Sequence, residues 1–281
     1  MRTDIRFFLN GRLRRIDGVA PHTTLLDWLR AEGLTAVKEG CAEGDCGACS
    51  VLFGFPEGNG GAFVWRAVNS CIVMLPQADG RAIVTAEGLV GADGTPHPAQ
   101  QALAETHGTQ CGFCSPGFAI SMAALSRRRQ RDDESILDAI AGNLCRCTGY
   151  RPILDAARKM PVVAASDDET EMAATLHREC AEPLEYRSSE RRFFAPRSLK
   201  AALAVLKDYP DAWILAGGTD LGLRVTKRHE EPECVLSLAE VPELHEIRRE
   251  GTETIIGAAV SYADSLETLS NLAPSFGEMV R

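Results

Sequence analysis

The sequence predicts a multidomain α+β protein in which a mixed sheet with one helix precedes a small helical domain and the first part of another α+β domain. Three observations support this fold class. Strand patterns dominate residues 1–90, helical patterns dominate residues 91–162, and a strand–glycine–helix pattern occurs within residues 191–281. At 281 residues the chain is long enough for about two or three domains, each with its own core.

The first domain, residues 1–90, begins with a β-hairpin. Asn10-Gly11 between two strand patterns is a strong signal for a two-residue hairpin turn. Thr24 before an apolar stretch and Gly33 after it predict a short capped helix. A glycine-rich turn at residues 58–61 joins two further strands, and a last strand closes the sheet. The predicted strands are residues 5–9, 12–16, 50–55, 63–68 and 83–85.

A loop of this domain carries three closely spaced cysteines, and a fourth follows later in the chain. The spacing Cys41-x4-Cys46-x2-Cys49, with Cys71, is that of plant-type ferredoxins, in which four thiolates hold a [2Fe–2S] cluster. Neighbouring glycines allow backbone amides to turn toward the sulfur atoms and stabilise an anionic cluster. These glycines are Gly40, Gly44 and Gly47. Strands, one helix and a cysteine loop in this order resemble the β-grasp [2Fe–2S] ferredoxin domain.

The second domain, residues 91–162, reads as four helices with cysteines near their ends. Two close pairs, Cys111-x2-Cys114 and Cys145-x-Cys147, complete a second set of four thiolates. We expect Ser115 to cap a helix whose positive N-terminal end favours the negative charge of a cluster. The helical patterns cover residues 98–107, begin at Pro116, centre on residues 136–140, and begin again at Pro152. The pattern therefore predicts a four-helix [2Fe–2S] domain.

A third domain follows a predicted linker. Residues 163–190 lose hydrophobic periodicity, which indicates a surface connection. In residues 191–281, a strand at 213–215 runs through a glycine pair into a helix, an arrangement in which backbone amides can approach a diphosphate. Such a pair is by itself more often a plain turn, but its place after two cluster domains favours the N-terminal part of an α+β FAD-binding domain. The candidate cofactor-binding residues are Ile214, Leu215, Ala216, Gly217, Gly218, Thr219, Asp220 and Leu221.

Cysteines in this number could also bind zinc or form disulfides. Zinc is held by four cysteines in many structural sites, and a Cys-x2-Cys pair alone suits such a site. A three-thiolate loop followed by a second complete set favours iron–sulfur clusters over zinc. A disulfide framework is disfavoured, because the chain is long and no secretion signal is recognised. Cys180 and Cys234 lie outside both sets and are expected in or near a core.

Composition argues against several classes of function. The net charge of −9 does not fit a nucleic-acid-binding surface. The basic run at residues 127–131 is followed at once by acidic residues 132–134, as in a solvated loop. No apolar run approaches the length of a membrane span, and the N-terminus does not read as a signal peptide. These patterns favour a cytoplasmic location.

Four segments together resemble the molybdenum hydroxylase family, and most specifically the small iron–sulfur/FAD subunit of bacterial xanthine dehydrogenases. They are residues 38–49, 110–117, 142–152 and 215–220, in the order of the family. The resemblance implies that electrons from the hydroxylation of xanthine or hypoxanthine pass through two [2Fe–2S] clusters and FAD to NAD+. It also implies a large partner subunit with the molybdenum cofactor, in a heterotetramer of two small and two large subunits. No catalytic residue is assigned to this chain, because the resemblance implies that the substrate pocket lies on the partner.

The resemblance leaves the substrate open. Other members of the family act on an aldehyde, a nitrogen heterocycle, carbon monoxide or an aromatic acyl-CoA. Several of these carry FAD on a separate polypeptide, so the fusion of clusters and flavin motif favours xanthine dehydrogenase. In the family the flavin domain continues through a further glycine-rich loop, whereas this sequence ends at residue 281 without it. We therefore expect the flavin domain to be truncated and FAD to bind weakly or not at all.

Overall fold

The computed structural model of the chain describes residues 1–58, 61–129 and 131–280. Asn59 and Gly60 of the predicted turn, and Gln130 of the basic run, lie outside the described residues. The strands are β1 (Ile5–Leu9), β2 (Arg12–Ile16), β3 (Ser50–Pro56), β4 (Phe63–Asn69), β5 (Ala82–Val84), β6 (Leu184–Ser188), β7 (Arg191–Ala195), β8 (Trp213–Leu215), β9 (Cys234–Ser237), β10 (Ile247–Glu250) and β11 (Glu253–Ile256). The α-helices are α1 (Leu25–Ala31), α2 (Pro98–Glu105), α3 (Ser115–Ser126), α4 (Asp133–Ile140), α5 (Arg151–Lys159), α6 (Asp167–Glu179), α7 (Leu199–Asp208), α8 (Leu221–Thr226), α9 (Tyr262–Leu272) and α10 (Pro274–Val280).

The first domain is a five-stranded sheet in the order β2-β1-β5-β3-β4. Asn10 and Gly11 form the predicted hairpin turn, with φ angles of 48° and 76° that a tight turn of this kind requires. Thr24 caps α1 by accepting a backbone amide hydrogen bond from the first turn. Trp28 of α1 packs edge-on against Phe7 of β1, with ring centroids 5.4 Å apart. This arrangement confirms the predicted ferredoxin-like sheet with one α-helix.

In the second domain α3 packs against α2 and α4, and α5 packs against the same two helices. Phe118 and Met122 of α3 have no exposed surface, because α3 contacts β3 as well as its neighbouring helices. On α4, which forms where the pattern at residues 136–140 predicts a helix, Ile136 and Ile140 are buried and Leu137 is 52% exposed. Helix α2 ends two residues before the predicted end, since His107 takes a left-handed backbone with φ 57°.

Residues 163–190, predicted as a surface linker without periodicity, contain regular structure. Helix α6 covers residues 167–179 of this range, and β6 already belongs to the sheet of the third domain. Ala173 and Leu176 are buried on the outer face of the first sheet, and the indole Nε1 of Trp65 donates a 3.0 Å hydrogen bond to Glu169. The helix was missed because five acidic residues, three of them in the first turn, weaken its apolar pattern, and tertiary contacts stabilise it.

The third domain contains a four-stranded sheet in the order β6-β7-β9-β8 and a separate hairpin of β10 and β11. Leu215 of β8 is fully buried, but Ile214 is 52% exposed, since β8 is an edge strand. Residues 213–215 thus form the predicted strand, at an edge of the sheet. The mixed helix and strand content confirms the predicted fold class, while the domain boundaries at residues 90, 162 and 190 stay predictions. No helix in the described parts of the chain is long and apolar enough to cross a membrane.

Candidate functional site

The loop between α1 and β3 brings the first four cysteines together. We call Cys41, Cys46, Cys49 and Cys71 the first cysteine quartet. The amide of Cys41 lies 3.4 Å from the sulfur of Cys46, and the amides of Glu43 and Cys46 both lie 3.4 Å from the sulfur of Cys41. Cys49 and Cys71 are buried free thiols that are hydrogen-bonded to each other, and Cys71 interacts electrostatically with Cys41. The tertiary fold thus gathers four thiols that the sequence separates by thirty positions.

The surroundings of the buried pair favour one thiolate. The hydrogen bond from Cys71 lowers the pKa of the Cys49 thiol to about 7, against the opposing effect of burial. The same bond, together with burial, raises the pKa of Cys71. Backbone amides act in the opposite direction, and that of Gly44 lowers the pKa of Cys71. Thiolates are the form that ligates metal, so amides directed at sulfur fit a site for an anionic cluster.

The glycines of this loop serve two different purposes. Gly44 and Gly47 have φ angles of 84° and 67°, so their backbone conformation favours glycine, as predicted. The φ angle of Gly40 does not require glycine, but a Cβ there would lie 2.8 Å from the sulfur of Cys46. Gly40 is therefore needed for space. Ala42 in the same loop has a positive φ angle, 53°, which no sequence pattern indicated.

The other four cysteines line one open pocket with a volume of about 480 Å³, next to the N-terminal ends of α3 and α5. We call Cys111, Cys114, Cys145 and Cys147 the second cysteine quartet. Side-chain hydrogen bonds pair Cys111 with Cys147 and Cys114 with Cys145. Cys111 and Cys147 are exposed, in contrast to the buried pair of the first quartet.

Short polar contacts order the loop of the second cysteine quartet. The Tyr150 hydroxyl accepts a 2.9 Å hydrogen bond from the amide of Cys145, and the Thr148 hydroxyl lies 3.2 Å from the Cys145 sulfur. Tyr150 itself has a left-handed backbone, with φ 67°, immediately before α5. The expectation that Ser115 caps α3 is wrong, because Cys114 occupies the cap position and the Ser115 hydroxyl bonds Thr109 instead, at 2.6 Å.

Both quartets fit the ligand demand of a [2Fe–2S] cluster. All eight thiols are free, and each set of four is gathered from two segments of the chain. Iron–sulfur clusters of this type are held by four cysteine thiolates. Cys180 and Cys234 are buried away from both quartets, under β1 and in β9, where they act as small core residues.

The candidate flavin residues, 214–221, run from the end of β8 into α8, and we call them the flavin segment. Gly218 has a left-handed backbone with φ 81°, and its carbonyl accepts a hydrogen bond from the amide of Gly222. Gly217 has open space where a Cβ would stand. A backbone without side chains on one side of this turn would leave room for a ligand. Asp220 begins α8 but makes no capping hydrogen bond.

Two residues beyond the flavin segment lie against the segments that carry the first cysteine quartet, and neither contact was predicted. A Cβ on Gly222 would lie 2.7 Å from the carbonyl oxygen of Ile72, which follows Cys71 in the chain. The ammonium group of Lys227 donates to the carbonyl of Cys41 and lies 3.3 Å from a carboxylate oxygen of Glu43. No local pattern signals these contacts, because they arise only when α8 packs on the short 3-10 turn Ser70–Ile72.

Two cysteine quartets on a ferredoxin-like sheet and a helical domain, beside a glycine-containing strand–helix turn, define the class of iron–sulfur flavoproteins. Comparison with protein families agrees. A 2Fe-2S iron-sulfur cluster binding domain matches residues 7–75, a [2Fe-2S] binding domain matches residues 85–158, and the FAD binding domain in molybdopterin dehydrogenase matches residues 186–281. The chain belongs to the molybdenum hydroxylase family, of which it carries both iron–sulfur domains and a FAD-binding domain.

Two curated eukaryotic relatives are much longer than this chain. Xanthine dehydrogenase 1 of Arabidopsis thaliana is 32% identical over 94% of this chain and 24% of its own length. Aldehyde oxidase 2 of Cavia porcellus is 31% identical over 94% of this chain and 24% of its own length. This chain thus spans about a quarter of those relatives. Among solved structures, quinoline 2-oxidoreductase from Pseudomonas putida 86 has 31% identity and a TM-score of 0.48, covering 62% of this chain and 96% of its own.

Proposed function

We propose that this chain is the electron-transfer component of a molybdenum hydroxylase of the xanthine dehydrogenase type, equivalent to the iron–sulfur/FAD small subunit of the bacterial enzymes. The observation that carries the proposal is the unbroken series of contacts between the three candidate cofactor sites. The amide of Leu144, next to Cys145, donates a 2.9 Å hydrogen bond to the carbonyl of Cys46. On the other side, Gly222 and Lys227 join the first cysteine quartet to the flavin segment.

The residues of the chain would bind the cofactors and set their surroundings. The first and second cysteine quartets would each hold one [2Fe–2S] cluster, and the flavin segment would contact FAD. When bound, such clusters exchange single electrons and FAD exchanges electrons singly or in pairs. The backbone amides near Cys41 and Cys46 would stabilise added negative charge, since hydrogen bonds to cluster sulfurs tune the reduction potential.

Exposed apolar side chains beside the second cysteine quartet support the proposal that a partner protein binds on that side of the molecule. Phe113 is 48% exposed and Leu144 is 55% exposed, and both line the same open pocket as the exposed thiols. Exposed apolar groups in one patch favour burial against another protein. The partner we propose is a large subunit with the molybdenum cofactor, assembled as two small and two large subunits. In this proposal xanthine or hypoxanthine is the substrate, NAD+ is the final acceptor, and the enzyme is cytoplasmic.

Metal analysis tests the cofactor part of this proposal. Anaerobically purified protein should contain four irons and sulfide, and it should show two EPR signals after reduction, because two thiol sets of four are present. A colourless protein loaded with zinc would instead support a zinc-stabilised interaction module. Flavin released by denaturation and measured by fluorescence tests the assignment of the flavin segment.

Reduction by substrate tests the enzyme type. The chain is co-expressed with the large subunit, purified as a complex, and mixed anaerobically with xanthine or with an aldehyde. Bleaching of the clusters by xanthine is the expected result, whereas bleaching by the aldehyde alone would assign the chain to an aldehyde-oxidising relative. Phe113→Ser should weaken the complex, since it removes an exposed apolar contact, while Leu137→Ser on α4 removes an equally exposed side chain away from the second quartet and should not.

A further inference from the structure

We infer that Asn143 is a positioning residue that fixes the spacing between the two cysteine quartets, an inference that rests on the proposed electron-transfer function. Asn143 is only 3% exposed and lies one residue from Leu144, whose amide bonds Cys46. Its side chain reaches from the second domain into the loop of the first. The role is therefore distinct from metal ligation, which the cysteines would perform.

Both ends of the Asn143 side chain are hydrogen-bonded. Its Nδ2 donates a 3.0 Å hydrogen bond to the carbonyl of Gly47, next to Cys46 and across the domain boundary. Its Oδ1 accepts a 2.6 Å hydrogen bond from the hydroxyl of Ser121 on α3. The Gly47 carbonyl can only accept, so it requires the amide nitrogen to face the loop of the first quartet, and the Ser121 hydroxyl then donates to the other end. A buried amide with both ends satisfied specifies one arrangement of the segments that it joins.

Two glycines allow this close approach. A Cβ on Gly117 of α3 would lie 2.2 Å from the carbonyl oxygen of Gly47, and a Cβ on Gly47 would lie 2.3 Å from Nδ2 of Asn143. Any side chain at either position would push the first loop away from α3. Both glycines therefore set the same distance that the hydrogen bond of Asn143 maintains.

This distance also governs a direct route between candidate ligands of the two sites. Cys46 and Cys145 are joined through a single hydrogen bond, from the Leu144 amide to the Cys46 carbonyl. The bond of Asn143 to Gly47 lies directly beside it and holds the same two segments together. Loss of that bond should open the Leu144 contact while the thiols of each quartet stay together within their own segments.

The test uses the complete chain with its clusters and compares three variants. Asn143→Asp replaces the donor by an oxygen that faces the Gly47 carbonyl but keeps the acceptor for Ser121. Gly117→Ala adds a methyl group against the same carbonyl. Gly142→Ala is the matched control, because a Cβ there meets open space within 4 Å. Two measurements are made: the magnetic interaction between the reduced clusters by EPR, and hydrogen exchange at the Leu144 amide.

We expect Asn143→Asp and Gly117→Ala to keep four irons and both EPR signals but to weaken the magnetic interaction, which falls with the cube of the separation. The Leu144 amide should exchange roughly five- to 150-fold faster, the effect of losing one buried hydrogen bond that restrains local opening. Gly142→Ala should match the parent protein in both measurements.

Either of two results would overturn the inference. One is a magnetic interaction and a Leu144 exchange rate unchanged in both variants. The other is loss of iron from both variants, which would make Asn143 part of a cluster site and not a spacer between two sites. If only Asn143→Asp loses iron, the magnetic interaction and the Leu144 exchange rate of Gly117→Ala decide whether the inference holds. A parent protein without iron would refute the proposed function, whereas the exchange measurement at Leu144 would still test the spacing role.

Discussion

Lys227 should raise the reduction potential of the cluster held by the first cysteine quartet. Its ammonium group contacts the Cys41 carbonyl and pairs with Glu43, whose amide is directed at the Cys41 sulfur. A positive charge at this place favours the reduced cluster, which is the more negative form. Lys227→Met removes that charge and leaves Glu43 unpaired. Both effects act in the same direction and should lower the potential.

The exposure of this pair limits the size of the effect. The side chains of Lys227 and Glu43 are each 42% exposed, so solvent screens the charge. If the interaction of Lys227 with the cluster charge is as large as that of an exposed ion pair, about 0.2–1 kcal/mol, the shift for one electron is roughly 10–45 mV. Glu43→Gln should shift the potential by a similar amount in the opposite direction. The opposite signs of the shifts in the two variants separate electrostatics from a general disturbance of the loop.

A redox titration followed by EPR measures both potentials in one experiment. Arg228→Met is the control, since Arg228 has the same charge on the next residue, is 72% exposed and pairs with Glu230. The cluster of the second quartet should keep its potential in every variant. An equal shift at both clusters, or a potential raised by Lys227→Met, would refute the reasoning.

Three further predictions concern four substitutions. Cys46→Ser and Cys147→Ser should each abolish one EPR signal and leave the other, because each removes one ligand from a different set of four. Gly222→Ala should lower the thermal midpoint, because overpacking against the short cysteine-bearing turn costs about 1–3 kcal/mol and outweighs a helix-propensity gain of about 1 kcal/mol. Glu169→Ala should release α6 and speed proteolytic cleavage between residues 163 and 190, since a buried hydrogen bond worth about 1–3 kcal/mol is lost.

Specific outcomes would contradict these three predictions. Loss of both EPR signals in either cysteine variant would indicate a shared site or a global loss of structure. A raised thermal midpoint for Gly222→Ala would show that a methyl group fits between α8 and Ile72. Unchanged cleavage in Glu169→Ala, compared with Glu169→Gln as the matched control, would show that apolar burial alone holds α6.

Local patterns were sufficient for the elements that local chemistry determines. The Asn10-Gly11 hairpin, the Thr24 cap and both pairs of close cysteines depend on residues near each other in sequence, and the structure places them as predicted. The fold class followed from the alternation of such elements. The grouping of Cys71 with the loop at residues 41–49 was predicted from a spacing pattern, and the structure brings these thiols together.

Features that depend on distant contacts could not be predicted in this way. Helix α6 has a weak apolar pattern and is stabilised by the sheet beneath it. Asn143 and Gly117 gain their roles only from the approach of two domains, so nothing next to them in sequence identifies the contact. Lys227 is an ordinary surface lysine until α8 docks. Electron-transfer proteins are defined by such distances, which is why sequence patterns identify the ligands better than their connections.

The strand order of the first sheet has a consequence for biosynthesis. β5 is inserted between β1 and β3, so the centre of the sheet is supplied by residues that leave the ribosome after all four thiols of the first quartet. Cys49 and Cys71 are 2% and 1% exposed in the finished fold, whereas Cys111 and Cys147 are exposed. Iron and sulfide would therefore have to reach Cys49 and Cys71 before the fold closes over them or through local opening, whereas Cys41 and Cys46 stay partly exposed. The second quartet can be loaded on the folded protein, and the two sites make different demands on the cellular assembly machinery.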